Sequence, residues 1–216
     1  MCICLDNPGT DLYTHDNLST RNKMEIIRAF IAIDLPTQIL EQIQQLQEFL
    51  LPITNSLIRW TKPENIHLTL KFLGEFEKQK LNEVQNVIRE IATTEVSFTL
   101  FIKGYGVFPN LEQPRIVWVG IDECVPLKTL VRRLEENLRP LGFKPENRPY
   151  KPHLTIGRVK QDYSLQKNLK LTGILCTAKT ITGSFSVEEI ALYRSDLKPG
   201  GPVYSRLMVG GFSLSK

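Results

Sequence analysis

The chain has 216 residues, 42% of them hydrophobic and 23% charged, a composition that supports a packed core and excludes a wholly disordered chain. No apolar run approaches the roughly 20 residues that a membrane helix needs, which excludes a helical membrane-spanning protein. The formal charge of +4 is too mild for wholesale coating of nucleic acid, yet it suits a site that receives a phosphate.

Residues 1–23 are polar, lack apolar periodicity and carry three Asp against Arg21 and Lys23. They have neither the basic start nor the continuous apolar stretch of a signal peptide. They read as a flexible N-terminal extension, which discounts His15 as a catalytic candidate, and Met24 reads as the natural start of one domain over 24–216. Cys2, Cys4, Cys124 and Cys176 form neither a dense disulfide framework nor a paired C-x-x-C zinc pattern, which points to a reducing cytoplasm.

The run RAFIAID at 28–34 predicts a strand closed by Pro36. Ile39, Leu40, Ile43, Leu46 and Leu50 follow helical spacing, with Thr37 as the expected N-cap. Short strands are expected at 58–60 and at 67–72, the second ended by Gly74. A second amphipathic helix runs through Leu81, Val84, Ile88 and Ile91. A strand over 97–107 offers Gly104 and Gly106 as bulge positions, and RIVWVGI at 115–121 is strongly β-branched. Leu127, Leu130, Val131, Leu134, Leu138 and Leu141 mark a third helix stopped at Gly142. Residues 153–159 predict a strand, and 184–193 with 203–214 a closing pair joined through LKPGG. Strands and helices mix without strict alternation, so the expected class is α+β, with largely antiparallel sheets and helices on the outer faces.

Two segments repeat. Pro63-Glu-Asn-Ile-His67-Leu-Thr69-Leu70 matches Pro149-Tyr-Lys-Pro-His153-Leu-Thr155-Ile156, each with Pro four residues before a His and each continuing His-Leu-Thr-aliphatic. One such tetrapeptide carries little information; two on expected strands carry much more. Outside the N-terminal extension these are the only histidines. Strand alternation sets His67 and Thr69 on one face and Leu68 and Leu70 on the other, and likewise separates His153 and Thr155 from Leu154 and Ile156. If the copies are related by pseudosymmetry, two imidazoles and two hydroxyls face one groove. A neutral imidazole can take a proton from water while a cationic one protonates a departing alkoxide, and the hydroxyls hold phosphate oxygens. This is metal-free phosphodiester chemistry, and an RNA 2′,3′-cyclic phosphate, with its strained ring, suits it.

The residues RAFIAIDLP at 28–36, RW-x-x-PENIHLTLKFLGE at 59–75, GYGVFP at 104–109, RIVWVGI at 115–121 and RPYKPHLTIGRVK at 148–160 together resemble the 2H phosphoesterase superfamily. Within it they resemble the RNA 2′,3′-cyclic 3′-phosphodiesterases, also called 2′-5′ RNA ligases. The resemblance covers nearly everything from Met24 to Lys216. It implies a bilobal, pseudo-twofold fold with a central cleft and a hydrolase. It implies His67 as proton donor to the leaving 3′ oxygen, His153 as proton acceptor from water, and a 2′-phosphate product. It also places an Arg five residues after the second His, here Arg158, as a phosphate ligand. Strict alternation turns Arg158 away from His153, and a bulge at Gly157 would turn it back. The implied partners are RNA with 2′,3′-cyclic phosphate ends or cyclic nucleotides, acted on by a monomer without cofactor or metal. With a 5′-hydroxyl in place of water, the same chemistry gives 2′-5′ ligation, and its reverse cleaves that linkage.

Two other readings stay open. A zinc hydrolase needs three or four ligands, and no H-x-x-x-H or H-E-x-x-H spacing occurs. The same fold can also clamp an RNA end without turnover. Thr69 and Thr155 also serve simply as β-formers. Trp60, Trp118 and most Phe read as core, with Phe30 alternatively a base-stacking surface if its ring is exposed. Lys71 falls on the His67 face by alternation, where a strand-end lysine is ordinarily solvated. Arg59, Lys62, Arg148, Lys151 and Lys160 flank the motifs and can draw in an RNA end.

Overall fold

The computed structural model describes residues 25–54, 57–160 and 181–213; the expected N-terminal extension, 1–23, lies outside them. The first strand is β1 (Ile26–Ile33), whose Ile27, Ala29, Ile31 and Ile33 enter the core while Arg28 stays exposed. In α1 (Thr37–Thr54) Ile39, Ile43, Leu46 and Leu50 are buried along one stripe. The Pro36 carbonyl accepts the first helical bond, from the Leu40 N–H at 3.2 Å. Pro36 is therefore the cap, and the expected cap Thr37 is the first helical residue.

After β2 (Ile58–Trp60) and a helical turn at Pro63–Asn65 come β3 (Leu68–Glu77), α2 (Leu81–Thr94), β4 (Phe98–Phe108), β5 (Ile116–Ile121) and α3 (Val125–Leu138). Gly142 closes the turn after α3 at φ 90°, a left-handed conformation that glycine adopts without penalty. Last come β6 (His153–Val159), β7 (Thr182–Val187), β8 (Glu189–Lys198) and β9 (Gly201–Gly211). In β4 the pairing jumps from Ile102↔Ile121 to Tyr105↔Val119, so the bulge falls at 103–104. Gly104 sits there at φ 65°. Gly106 has a different role: a Cβ there would lie 2.4 Å from the Trp118 ring.

The class is α+β. The strands line up as β7-β4-β5-β6-β3-β1-β8-β9, with β2 on β6, and every named pair is antiparallel. Two lobes are visible in that order. One holds β7, β4, β5, β6 and β2; the other holds β3, β1, β8 and β9. Their sheets are continuous through one pairing, Leu68↔Leu154. The segment expected as a single strand over 184–193 divides at Glu188. Its first part, β7, pairs with β4, and its second part, β8, pairs with β1 in the other lobe. The Glu188 carbonyl is thereby freed, and it accepts the Phe212 N–H at 2.7 Å. The β8–β9 pairing matches the expected closing hairpin.

Buried residues of the three helices and of one sheet face form a single apolar cluster, with Leu68, Leu154, Leu127, Leu130 and Leu134 fully enclosed. Each such side chain contributes about 1.5–3 kcal/mol by leaving water. Among the described residues no helix is long and apolar enough to cross a membrane.

Candidate active site

The join between the lobes sets the site. Leu68 and Leu154 pair directly and both point into the core. Extending that antiparallel register by one residue each way sets His67 opposite Thr155 and Thr69 opposite His153. All four then share the face away from the core. The two histidines become diagonal neighbours, a relation that spans about 7–8 Å in a regular antiparallel pair.

Both rings are held by the same local device. The His153 Nδ1 lies 2.8 Å from the Lys151 carbonyl. A carbonyl only accepts, so Nδ1 carries the hydrogen, and in the neutral ring Nε2 is the acceptor. His67 likewise bonds the backbone of Asn65, two residues upstream, and the turn at Pro63–Asn65 presents that group. Each Pro-x-x-x-His approach thus ends in a backbone group two residues before the ring, presented by a helical turn in the first copy and by irregular chain in the second. Tyr150, just before the second motif, donates its hydroxyl to the Thr69 carbonyl at 3.0 Å, which ties the second approach to the first motif.

The surroundings of the rings differ. His67 stacks on Phe30 at 4.6 Å between centroids, Phe30 stacks on Tyr193 at 5.4 Å, and Tyr204 meets His67 edge-on at 5.3 Å. Burial lowers the His67 pKa to about 4, while the charge of Asp34 and the Asn65 bond act the other way. Asp34 accepts the Tyr193 hydroxyl at 2.7 Å and is paired with Arg206. Burial, and then that Asp34 bond, push the Tyr193 phenol up to about 12. His153 instead meets Phe108 edge-on at 5.0 Å. The alternative reading of Phe30 as an exposed stacking surface is overturned: the residue is only 3% exposed, packed against both His67 and Tyr193.

Matching bulges follow the two motifs. Along β1 the pairing passes from Ala32↔Thr69 to Ile31↔Lys71, skipping Leu70. Along β5 it passes from Trp118↔Thr155 to Val117↔Gly157, skipping Ile156. Each bulge reverses the alternation, so the fifth residue after each His returns to the site face. Arg158 therefore shares a face with His153 and Thr155 and is exposed. The bulged residue is Ile156, one position before the expected Gly157. Its carbonyl accepts both the Thr61 N–H at 2.9 Å and the Gln47 side chain at 2.9 Å.

The Leu70 bulge overturns the solvated placement of Lys71. Lys71 turns into the core at 5% exposure, where its ammonium reaches Glu135 at 2.7 Å and the Lys144 carbonyl at 2.7 Å. Phe72 takes the position on the site face that corresponds to Arg158 and is 65% exposed. Arg59 lies directly opposite Arg158 across β2 and β6. Neither guanidinium has an ion-pair partner among the described residues. Lys62 is paired with Glu64 at 3.9 Å. Among the described residues no three His, Cys, Asp or Glu side chains cluster to ligate a metal. Gln47, Asp34, Tyr193, Tyr204 and Arg206 carry no signal in the sequence, because they reach the motifs through tertiary packing alone.

The family described as LigT like Phosphoesterase matches residues 33–118 and again 119–204, each stretch holding one His-Leu-Thr motif. The RNA 2′,3′-cyclic phosphodiesterase of Methanothermobacter thermautotrophicus is 37% identical over 183 residues, covering 85% of this chain and 97% of that protein. The crystal structure of TT0787 of Thermus thermophilus has a TM-score of 0.74 at 27% identity, over 86% of this chain and 98% of its own. E. coli LigT complexed with 3′-AMP has a TM-score of 0.70 at 28% identity, over 88% and 99%.

Proposed function

The chain belongs to the LigT-like phosphoesterase family, and from that membership we propose that it hydrolyses RNA 2′,3′-cyclic phosphate ends to 2′-phosphates without a metal. It is a hydrolase of the cyclic-phosphodiesterase kind. The observation that carries the reading is the pairing Leu68↔Leu154; its register, extended by one residue each way, supports both His-x-Thr pairs sharing one face.

In the proposed reaction His153 Nε2 takes a proton from water as the oxygen attacks phosphorus. The bond from phosphorus to O3′ breaks, and His67 protonates that oxygen. Thr69, Thr155 and Arg158 hold the non-bridging oxygens, where hydrogen bonds from hydroxyls and a guanidinium stabilise the added negative charge. In the free protein burial keeps His67 neutral at pH 7. The incoming phosphate brings the opposite charge that favours its imidazolium, so the acid is armed by substrate. The metal-free half of the reading is supported by the donor set, in which, among the described residues, the two histidines lack carboxylate or thiolate company to complete a zinc shell. Arg59 beside Arg158 supports an anionic ligand, because two like charges placed opposite one another are relieved by an anion between them. With an RNA 5′-hydroxyl in place of water as the attacking group, the same steps join ends through a 2′-5′ linkage, and their reverse cleaves that linkage.

The test is product analysis by phosphorus NMR on a short RNA with a 2′,3′-cyclic end, in excess chelator. A 2′-phosphate formed at the chelator-free rate is expected. A 3′-phosphate would overturn the assignment of the broken bond. Activity lost to chelator would restore the zinc reading, and tight binding without product would select the non-catalytic clamp.

A further inference from the structure

Two tyrosines reach the aromatic group around His67, and they are used differently. The Tyr193 hydroxyl is fully engaged: it donates to Asp34 and accepts from the Arg206 Nε at 3.2 Å. The Tyr204 hydroxyl has no hydrogen-bond partner among the described residues, although its ring is fixed edge-on against both Phe30, at 4.9 Å, and His67, at 5.3 Å. Tyr204 lies on β9, three strand positions from β3 in the sheet order. In a flat sheet that separation is about 14 Å. The long side chain and the curl of the sheet close the gap, so the fold carries this phenol from an edge strand to the first-motif histidine.

Its surroundings suit a donor to an anion. Burial raises the phenol pKa, so the hydroxyl keeps its proton at neutral pH. The positive charges of Arg158 and Arg28 act on that same hydroxyl, so an anion drawn to those guanidiniums meets it. With the ring pinned by two aromatic neighbours, only rotation about the C–O bond is left to order, which is the preorganisation that makes such donors effective.

We propose that Tyr204 contacts the substrate, its hydroxyl donating a hydrogen bond to a non-bridging oxygen of the phosphate held between His67 and His153. The proposal rests on the function proposed above and adds a fourth hydroxyl or cationic donor, from the opposite end of the sheet, to Thr69, Thr155 and Arg158. The phosphate oxygen is charged before water adds and more so afterwards, so the bond is made in the bound state and strengthens toward the transition state, and its loss falls on both KM and kcat.

The experiment compares wild type with Tyr204→Phe and Tyr204→Leu on adenosine 2′,3′-cyclic phosphate. Tyr204→Phe keeps the ring and removes only the donor, and kcat/KM is expected to fall about 10- to 100-fold. The His67 imidazole titration, followed by NMR, is expected to keep its wild-type midpoint in that variant. In Tyr204→Leu the covering ring is lost too, and the midpoint is expected to move up toward the ordinary histidine value. Tyr204→Phe with kcat/KM within about twofold of wild type would overturn the proposal, since a donated hydrogen bond to a charged group is worth more than that. So would a fall in activity accompanied by a shifted His67 midpoint, which would make Tyr204 a positioning residue. Failure of the wild type to turn over the cyclic phosphate strikes the proposed function instead. Calorimetric binding of adenosine 2′-phosphate then decides the Tyr204 contact: weaker affinity in Tyr204→Phe supports it, and unchanged affinity overturns it.

Discussion

The two motif strands are near copies in backbone and unlike in company. Each carries His-x-Thr, each orients its imidazole on a carbonyl two residues upstream, and each is bulged at the third residue past the His. Beyond that the lobes diverge. His67 is packed under Phe30 and Tyr204 and titrates near 4; His153 meets one Phe edge and keeps Nε2 as an acceptor. The fifth position is Phe72 in one lobe and Arg158 in the other. The fourth is Lys71, paired with Glu135, against Gly157, where a Cβ would lie 2.7 Å from Ile58. A repeat supplies symmetric geometry, and the neighbours then make its two sides unlike, as the proposed acid at His67 and the proposed base at His153 require.

The comparison can be broken most forcefully at the histidines. His67→Ala and His153→Ala are each expected to lower kcat about 100- to 10,000-fold on a cyclic-phosphate RNA, the range for removing a general acid or base. Either variant at wild-type rate in a steady-state assay would dissolve the pairing. The fourth positions come next. Lys71→Ala leaves Glu135 partly buried and unpaired, with an expected loss of about 3–5 kcal/mol in urea unfolding. A change below about 1 kcal/mol would mean that the pair is as weak as a surface one.

The fifth positions sharpen the contrast. Arg158→Ala is expected to reduce kcat/KM about 10- to 100-fold, as for other lost charge-assisted contacts, while Phe72→Ala changes it less than about threefold. Equal losses would place both residues in the same role. The last effect is in acid stability. Folding lowers the His67 pKa from 6.5 to about 4, so between those values the unfolded chain binds a proton there that the folded chain does not. Stability therefore falls as pH drops from about 6.5 to 4. His67→Asn should flatten that slope in urea midpoints measured across the window; parallel slopes in both proteins would contradict the buried, neutral ring.

What was legible in the sequence was local. The period of two set His67 with Thr69 and His153 with Thr155 on one face, and apolar spacing found α1, α2 and α3. The bulges were only half legible. Gly157 hinted at the second, but the bulged residues, Leu70 and Ile156, are ordinary strand formers, and the first bulge reversed the reading of Lys71. What holds the second bulge is Gln47, 109 residues away and buried on α1, where a glutamine in an apolar stripe gives no signal of its partner. Tyr193, Tyr204 and Asp34 were illegible for the same reason: they meet His67 only once β8 and β9 return from the far end of the chain to pair beside β1. The division at Glu188 is likewise a decision between two sheets, made by competing partners and not by the alternation of 184–193.

Whether the two imidazoles serve one phosphate is tested most directly by a double-mutant cycle on cyclic-phosphate hydrolysis, comparing His67→Ala, His153→Ala and the double variant. If acid and base act on one bond exchange, the double variant is expected to be no slower than the slower single variant, because removing either partner already disables the other. Losses that multiply in the double variant would show two independent contributions and contradict a shared site.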